Sequence, residues 1–276
     1  MNIFHLRVDD PQLKIRTCGV NNLAMKLWCS VRDITNSFLF RPGELHIVFW
    51  ALACIGDYIE GSGLDEAWVE AEMYSATTVS NQILKGKHLY RNLECHFVTV
   101  ISVYTLYFKN YLSEEDHLLV RDLAEQLRDA YRGDSGSDTE TSEQLHKVIN
   151  EDSSFFDHVV GISKKLESFK TQLNPIQIFL LNYVKQYETV LTFIRATRDR
   201  DINLHLKSLE SLIKYFFAHD HLNYARLLPL YLSTMQKTKE GNPKLWKQFE
   251  NGNFCVSKNP VRFTSIGPDH GIEHEH

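Results

Sequence analysis

The last quarter of the chain is the starting point for interpreting the rest, because it holds the densest polar signals. It begins with FFAHDHLNYAR at residues 216–226 and ends with IGPDHGIEHEH at residues 266–276. The polar and charged side chains are concentrated at these two ends, and the apolar segments between them are typical of a scaffold. A helical pattern runs over residues 222–236, and Pro229 inside it predicts a kink because proline lacks an amide hydrogen.

The segments upstream of this quarter repeat the helical pattern. From Glu44 onward, apolar residues recur at spacings of three and four, which predicts helices as far as Gln236. Residues 88–112 are rich in Val, Ile, Thr and Tyr, but their length favours a helix over a strand. The predicted fold class is mainly α: a multi-helix globular array with at most a small β hairpin near the C-terminus, formed by residues 254–256 and 261–266.

Breaks in the pattern divide the chain into four regions. Residues 1–40 form a poorly defined N-terminal segment, in which residues 23–31 fit either a short helix or a buried strand. Residues 41–132 form a helical region, and residues 133–143 are predicted to be a mobile acidic loop. Residues 144–276 form a second helical region with the short β pieces and the C-terminal Asp-His motif.

Two helix starts carry clear capping signals. Ser113 precedes three acidic residues, so it is expected to be the N-cap of a helix. Asn174 and Pro175 open the next long helical pattern, with proline in the first turn.

Composition and charge narrow the class of protein. The 276 residues are 43% apolar, which is enough for a sizeable core, and the formal net charge is −5. Residues 113–152 contain twelve acidic and four basic residues, so this segment is −8 and the rest of the chain is +3. Neither part is the strongly basic body of a stand-alone nucleic-acid-binding protein, so we expect weak or no nucleic-acid binding.

The five cysteines are scattered and form no C-x-x-C pair, which is typical of reduced thiols and argues against a zinc ribbon. No signal peptide is visible, and the longest uncharged apolar run, residues 97–108, is too short to span a bilayer. We therefore expect an intracellular protein, nuclear or cytoplasmic, with no membrane partner.

Carboxylates at the end of the chain are the candidate metal ligands. Asp220, Asp269 and Glu273 could hold Mg²⁺ or Mn²⁺ if they converge in space. The simpler interpretation is that Asp269 caps a helix after Gly267 and Pro268, with Glu273 in the first turns. Asp220, between two histidines, has the same alternative: Asp220 or Asn223 would cap the helix that follows.

Residues 270–274, HGIEH, match the H-x-x-E-H pattern of inverted zinc peptidases. Two histidines at i and i+4 share one helix face, and the glutamate between them could activate water. Gly271 weakens a helix, and no third ligand follows before His276. A chance match in a histidine-rich tail is the simpler interpretation.

Several motifs in order resemble a family of uncharacterised proteins in animal genomes that are carried by, or derived from, transposable elements. The upstream block is Pro42-Gly43-Glu44-Leu45-His46, followed by residues 61–64 and by Gly86-Lys87. The downstream block comprises residues 195–198, 204–206, 216–226, 252–254 and 266–273. Together they cover about residues 41–276.

The resemblance implies a diverged DDE-type transposase with an RNase H-like core. Under it, Glu44, Asp269 and Glu273 are the catalytic carboxylates. Two departures matter: the family pattern continues with a polar, glycine-rich segment beyond the Asp-His motif, and no upstream acidic block is recognisable in residues 1–40. We therefore expect a truncated remnant.

Three functions stay open at this point. The first is a transposon-derived helical fragment without catalysis and without a cofactor. The second is a metal-dependent nuclease that uses Mg²⁺ or Mn²⁺ held by the clustered carboxylates. The third is a helical module that binds a protein partner through its apolar faces.

Overall fold

The computed structural model describes residues 14–18, 38–132, 147, 153–168, 173–257 and 265–273. The predicted acidic loop at residues 133–143 lies outside the described residues, as do residues 23–31, 258–264 and 274–276. Side chains are described from Arg41 onward, with the further gaps at residues 130–132, 272 and 273.

Helices dominate the described residues, and the mainly α prediction is confirmed. In chain order they are α1 (Glu44–Ile59), α2 (Leu64–Glu70), α3 (Ala76–Thr78), α4 (Leu89–Tyr111), α5 (Glu114–Arg132), α6 (Ser153–Ser168), α7 (Pro175–Arg198), α8 (Ile202–Ala218), α9 (Leu222–Gly241), α10 (Pro243–Glu250) and α11 (Pro268–Glu273). A π-helical turn, Val79–Ile83, follows α3. The Val- and Thr-rich segment from Leu89 is a helix, as its length predicts.

Two short strands pair ahead of α1. Strand β1 (Lys14–Cys18) lies parallel to β2 (Phe38–Pro42), with Lys14 opposite Phe38 and Cys18 opposite Pro42. The sequence did not predict this pair. In the region of the predicted C-terminal hairpin, the described residues form a single antiparallel bridge between Val256 and Ile266.

Helix α1 is the central element of its part of the fold. Ile47, Leu52, Cys54, Ile55 and Ile59 are each at most 1% exposed. A helix that is apolar on nearly all sides has to be enclosed by other elements, because exposed apolar surface costs free energy. Its N-terminal amides are therefore removed from water as well.

The chain folds into two compact units. The first contains residues 1–95, 185–259 and 264–276, and the second contains residues 96–184 and 260–263. The boundary falls inside two continuous helices, α4 and α7.

The core of the first unit is aromatic. Phe193, Phe216, Tyr231 and Phe254 are at most 1% exposed. His205 of α8 lies between two of these rings, 4.8 Å from the Phe193 centroid and 5.3 Å from that of Phe254. Burial holds the pKa of His205 well below its ordinary value, and Arg41 lowers it further, so the imidazole is neutral.

In the described part of the second unit, two polar contacts stand out: one at a buried histidine and one at the start of α5. His96 is fully buried, and its Nδ1 lies 2.9 Å from the Tyr183 hydroxyl. Ser113 caps α5 as predicted, since its hydroxyl accepts the Asp116 amide at 3.2 Å. Lys165 of α6 pairs with the same Asp116 carboxylate. These contacts fix helices that have comparatively few buried apolar side chains.

The sequence also predicts helix starts at Asn174 and at Asp220 or Asn223, and the structure confirms only the first. Asn174 caps α7, since its Oδ1 accepts the Gln177 amide at 2.9 Å. The predicted cap at Asp220 or Asn223 is wrong: α9 begins after His221, whose side chain makes no capping bond, and Asp220 adopts a φ of 56°. A residue in the left-handed region ends one helix instead of opening the next. Helix α9 continues through Pro229 to Gly241, five residues beyond the predicted end.

Among the described residues, no single helix is long and apolar enough to cross a membrane. The pair α1 and α2 meets the criterion of length and composition when taken together, with a bend of 94° between the two helices.

The burial of His96 predicts a pH-dependent stability. Burial lowers its pKa to about 3, whereas an unfolded histidine titrates near 6.5. Below pH 6.5 His96 binds a proton in the unfolded chain but not in the native chain. The stability that is present at neutral pH is therefore lost on acidification. His96→Gln should reduce the slope of unfolding free energy against pH between 7 and 5 by roughly 1 kcal/mol per pH unit in urea titrations. The exposed His158→Gln is the control, and an unchanged slope in His96→Gln would refute the assignment.

Candidate functional site

Asp269 closes the N-terminus of α1 from the far end of the chain. Its Oδ2 accepts the backbone amides of Leu45 at 2.9 Å and His46 at 3.3 Å. The same oxygen lies 3.2 Å from Nδ1 of the His46 ring. The Asp269 residue itself is 8% exposed, so the carboxylate replaces water at amides that solvent hardly reaches.

The local sequence explains why the cap comes from elsewhere. The N-cap position of α1 is Gly43, which has no side chain to accept a hydrogen bond. A Cβ atom on Gly43 would lie 2.4 Å from the Asp269 Oδ2. Only glycine leaves room for the carboxylate to approach the first turn, where the positive end of the helix dipole favours an anion.

Arg41 lies just upstream and is 1% exposed. Its Nη2 pairs with Oε1 of Glu44, and its Nη1 donates to the Phe254 carbonyl at 2.6 Å. The guanidinium carbon also lies 5.3 Å from the centre of the Phe254 ring. Arg41 therefore connects the start of α1 to the segment that follows α10.

This buried cation changes the titration of its neighbours. Burial raises the pKa of Cys255 to about 12, while Arg41 and Arg200 oppose that shift. Burial also raises the pKa of Tyr231, and Arg41 again acts in the opposite direction. Both groups are therefore neutral near pH 7, and neither is an activated nucleophile.

Gly267 brings two carboxylates to one point. A Cβ atom on Gly267 would lie 2.8 Å from Oε2 of Glu44 and 2.8 Å from Oδ1 of Asp269. Neither oxygen has a hydrogen-bond partner among the described residues. Each acid therefore uses one oxygen in the fold, with Arg41 or with the α1 amides, and leaves the other unmet.

A cleft lies beside this pair. It has a volume of about 470 Å³, part of it open to solvent. Its walls come from the first turns of α1, the start of α4, the end of α7, residues 265–267 and His270. Glu44 and Gly267 are among the lining residues, together with Arg198, Ser265 and His270.

The structure brings together only part of the predicted site. Glu44 and Asp269 meet at the N-terminus of α1, as the hypothesis of clustered carboxylates requires. Asp220 is not placed with these two acids. The next residue, His221, lies 3.7 Å from Asp57 and packs against Trp50, and both of these lie further along α1 than Glu44. Asp57 is about 20 Å from Glu44 at the helical rise of 1.5 Å per residue.

Glu273 is the last residue of α11, and its side chain lies outside the described residues. Within the part of the chain that the structure describes, no group of three or more His, Cys, Asp or Glu side chains could hold a metal ion. His274 of the predicted zinc pattern is also outside that part. Gly271 does not prevent a helix, since α11 runs through it.

Sequence reasoning missed Arg41 and misassigned the Asp269 cap. Asp269 does cap a helix as predicted, but the helix is α1 and not its own α11. One signal was present: α1 starts after Pro42 and Gly43, without a Ser, Thr, Asp or Asn to cap it. A buried helix without a local cap requires an acceptor from another segment.

Residues 23–276 match the family described as a domain of unknown function, DUF8702. The chain belongs to this family. No curated protein matches the chain, and no solved structure does either. The family description assigns no activity, so the function of its members has to be argued from the geometry above.

The cap predicts a specific loss of stability. Asp269→Ala should lower the unfolding free energy by about 1–2 kcal/mol, because two poorly solvated amides lose their acceptor. Asp269→Asn should lose less, since an amide oxygen still accepts. Gly43→Ala should also destabilise, because its methyl group occupies the position of the carboxylate.

Chemical denaturation followed by circular dichroism measures these differences. Glu210→Ala, at an exposed position on α8, is the matched control and should change stability little. Wild-type stability in Asp269→Ala would show that the cap contributes nothing.

Proposed function

We propose that this chain is a helical protein-interaction module that assembles with a second copy of itself, and that it does not act as a metal-dependent nuclease. The observation that carries the proposal is an exposed apolar surface on α4, called here the α4 face. It consists of Phe97, Val98, Ile101 and Leu106, whose exposed fractions run from 43% to 57%.

The α4 face departs from the usual pattern of an outward helix surface. Phe97, Val98 and Ile101 are neighbours on one side of the helix because residues three and four apart lie together. Between residues 96 and 111, α4 contains no Asp, Glu or Arg and a single Lys, Lys109. Water-facing helix surfaces are usually charged, whereas contiguous apolar patches mark binding sites.

A second copy of α4 matches this surface in charge. In an antiparallel pair of α4 helices related by a two-fold axis beside the midpoint between Ile101 and Ser102, residues equally far from that midpoint lie level with each other. Glu94 and Lys109 are equally far from it, so opposite charges meet at both ends.

The two gathered carboxylates support a structural role better than a catalytic one. Asp269 binds the amides of α1, and Glu44 pairs with Arg41. A two-metal nuclease needs several carboxylates free to surround its ions. Here one oxygen of each acid already has a partner within the protein.

An origin in a transposable element remains part of the proposal. It is supported by the order of the motifs around Glu44, residues 216–226 and Asp269. The family match neither adds to that origin nor removes it.

The pairing on α4 predicts self-association that depends on two charges. Sedimentation of the wild type should give a dimer whose fraction rises with protein concentration. Ile101→Glu should yield a monomer, because it places a carboxylate in the centre of an apolar contact. Glu94→Lys and Lys109→Glu should each weaken the dimer by roughly tenfold through like-charge repulsion, and the double exchange should restore it.

Leu118→Glu is the control, since Leu118 is an exposed apolar residue on another helix, α5. A monomer at every concentration, or a double exchange that fails to recover the dimer, would contradict the proposal.

The absence of nuclease chemistry is tested separately. The purified chain should not nick supercoiled plasmid in Mg²⁺ or Mn²⁺, and its binding to duplex DNA should be weak at physiological salt. Metal-dependent nicking that disappears in both Glu273→Ala and Asp269→Asn would instead establish the nuclease alternative.

A further inference from the structure

The cleft beside Glu44 has the lining of a small-molecule site. It is a depression with about 470 Å³ of space between its walls, part of which is open solvent. Most of its wall is apolar, with Leu45 and Val48 from α1, Leu89 and Leu93 from α4, and Phe193 and Ile194 from α7. Such a wall accepts the hydrophobic body of an organic ligand.

One part of the cleft is acidic and unsatisfied. Glu44 is 3% exposed, lines the cleft, and has an Oε2 without a hydrogen-bond partner among the described residues. The unmet Oδ1 of Asp269 faces the same backbone position, Gly267, which also lines the cleft. Buried carboxylate oxygens normally accept hydrogen bonds, so these two oxygens can receive a donor that enters the cleft.

The charged groups around this point are of both signs. Glu44 and Asp269 lie beside Arg41, the His46 ring and the start of α1, and Arg200 donates to Ser265 of the cleft wall. Arg198 and His270 line the cleft too, and both already interact with other groups of the chain. The acceptors left for a ligand are the second oxygens of Glu44 and Asp269, which take hydrogen bonds from N–H donors.

We propose that this cleft binds a small organic cation, a protonated amine or amidine attached to an apolar or aromatic body. The cationic group donates to Oε2 of Glu44 and Oδ1 of Asp269, and the body lies against the apolar wall. Phe193 and Tyr90, which also line the cleft, add aromatic surface that favours cations. A metal ion fits less well, because the described residues supply no third ligand of the His, Cys, Asp or Glu type.

The test uses three aromatic probes of similar size: benzamidine, benzyl alcohol and benzoate. Titrations monitored by amide chemical shifts should show millimolar binding of benzamidine, with shifts at Leu45, Gly267 and His270. Benzyl alcohol and benzoate should bind at least roughly tenfold more weakly, which corresponds to about 1.4 kcal/mol. This outcome does not depend on whether the chain forms dimers.

Two variants distinguish the contribution of the Glu44 carboxylate to binding from the contribution of the cavity. Ile194→Trp places an indole ring in the cleft from the side of α7, leaves Glu44 itself unchanged, and should abolish binding in a chain that stays folded. Glu44→Gln should lower benzamidine affinity by roughly tenfold. Because that change leaves Arg41 without its ionic partner, its folding is checked by circular dichroism. Glu210→Gln, at an exposed position on α8, should bind like the wild type.

Two results would overturn the proposal. One is equal binding of benzamidine and benzyl alcohol, which would remove the role of the carboxylates. The other is unchanged benzamidine binding in Ile194→Trp, which would place the ligand elsewhere.

Discussion

The carboxylate of Asp269 at the first turn of α1 is the contact on which the first unit depends. Helix α1 is enclosed on nearly all sides, so its N-terminal amides cannot rely on water. Gly43 supplies no side chain, and the acceptor comes from a residue 224 positions away in the chain. A long-range cap of this kind fixes the C-terminal segment, because losing it would leave buried donors unpaired.

Arg41 adds a second long-range constraint at the same place. Its guanidinium is almost fully buried, and a buried charge is stable only when it is paired and hydrogen-bonded. Glu44 supplies the opposite charge, and the Phe254 carbonyl fills a further donor. Removing either acid would therefore affect more than one contact. Removing Glu44 exposes the buried cation, whereas removing Asp269 exposes the α1 dipole.

Much of the helical fold follows from local patterns, and the site does not. Apolar residues at spacings of three and four located the helices, and Ser113 and Asn174 marked two starts because their caps act within one turn. The parallel pairing of β1 with β2 was missed because parallel strands pair across long separations. The Asp220 cap failed because a backbone φ of 56° ends a helix, which residue type alone does not reveal. The meeting of Glu44 with Asp269 was an open question until the fold placed them together.

Each acid at the cleft divides its two oxygens between different tasks. One oxygen of Asp269 holds the α1 amides, and one oxygen of Glu44 holds Arg41, so both acids are already needed for folding. The other two oxygens both face Gly267, which lines the cleft, and neither has a hydrogen-bond partner among the described residues. At Asp269 an amide oxygen would still cap α1, so the cap alone does not require the second carboxylate oxygen. At Glu44 the charge balances Arg41, and the second oxygen is the one that a donor entering the cleft would reach.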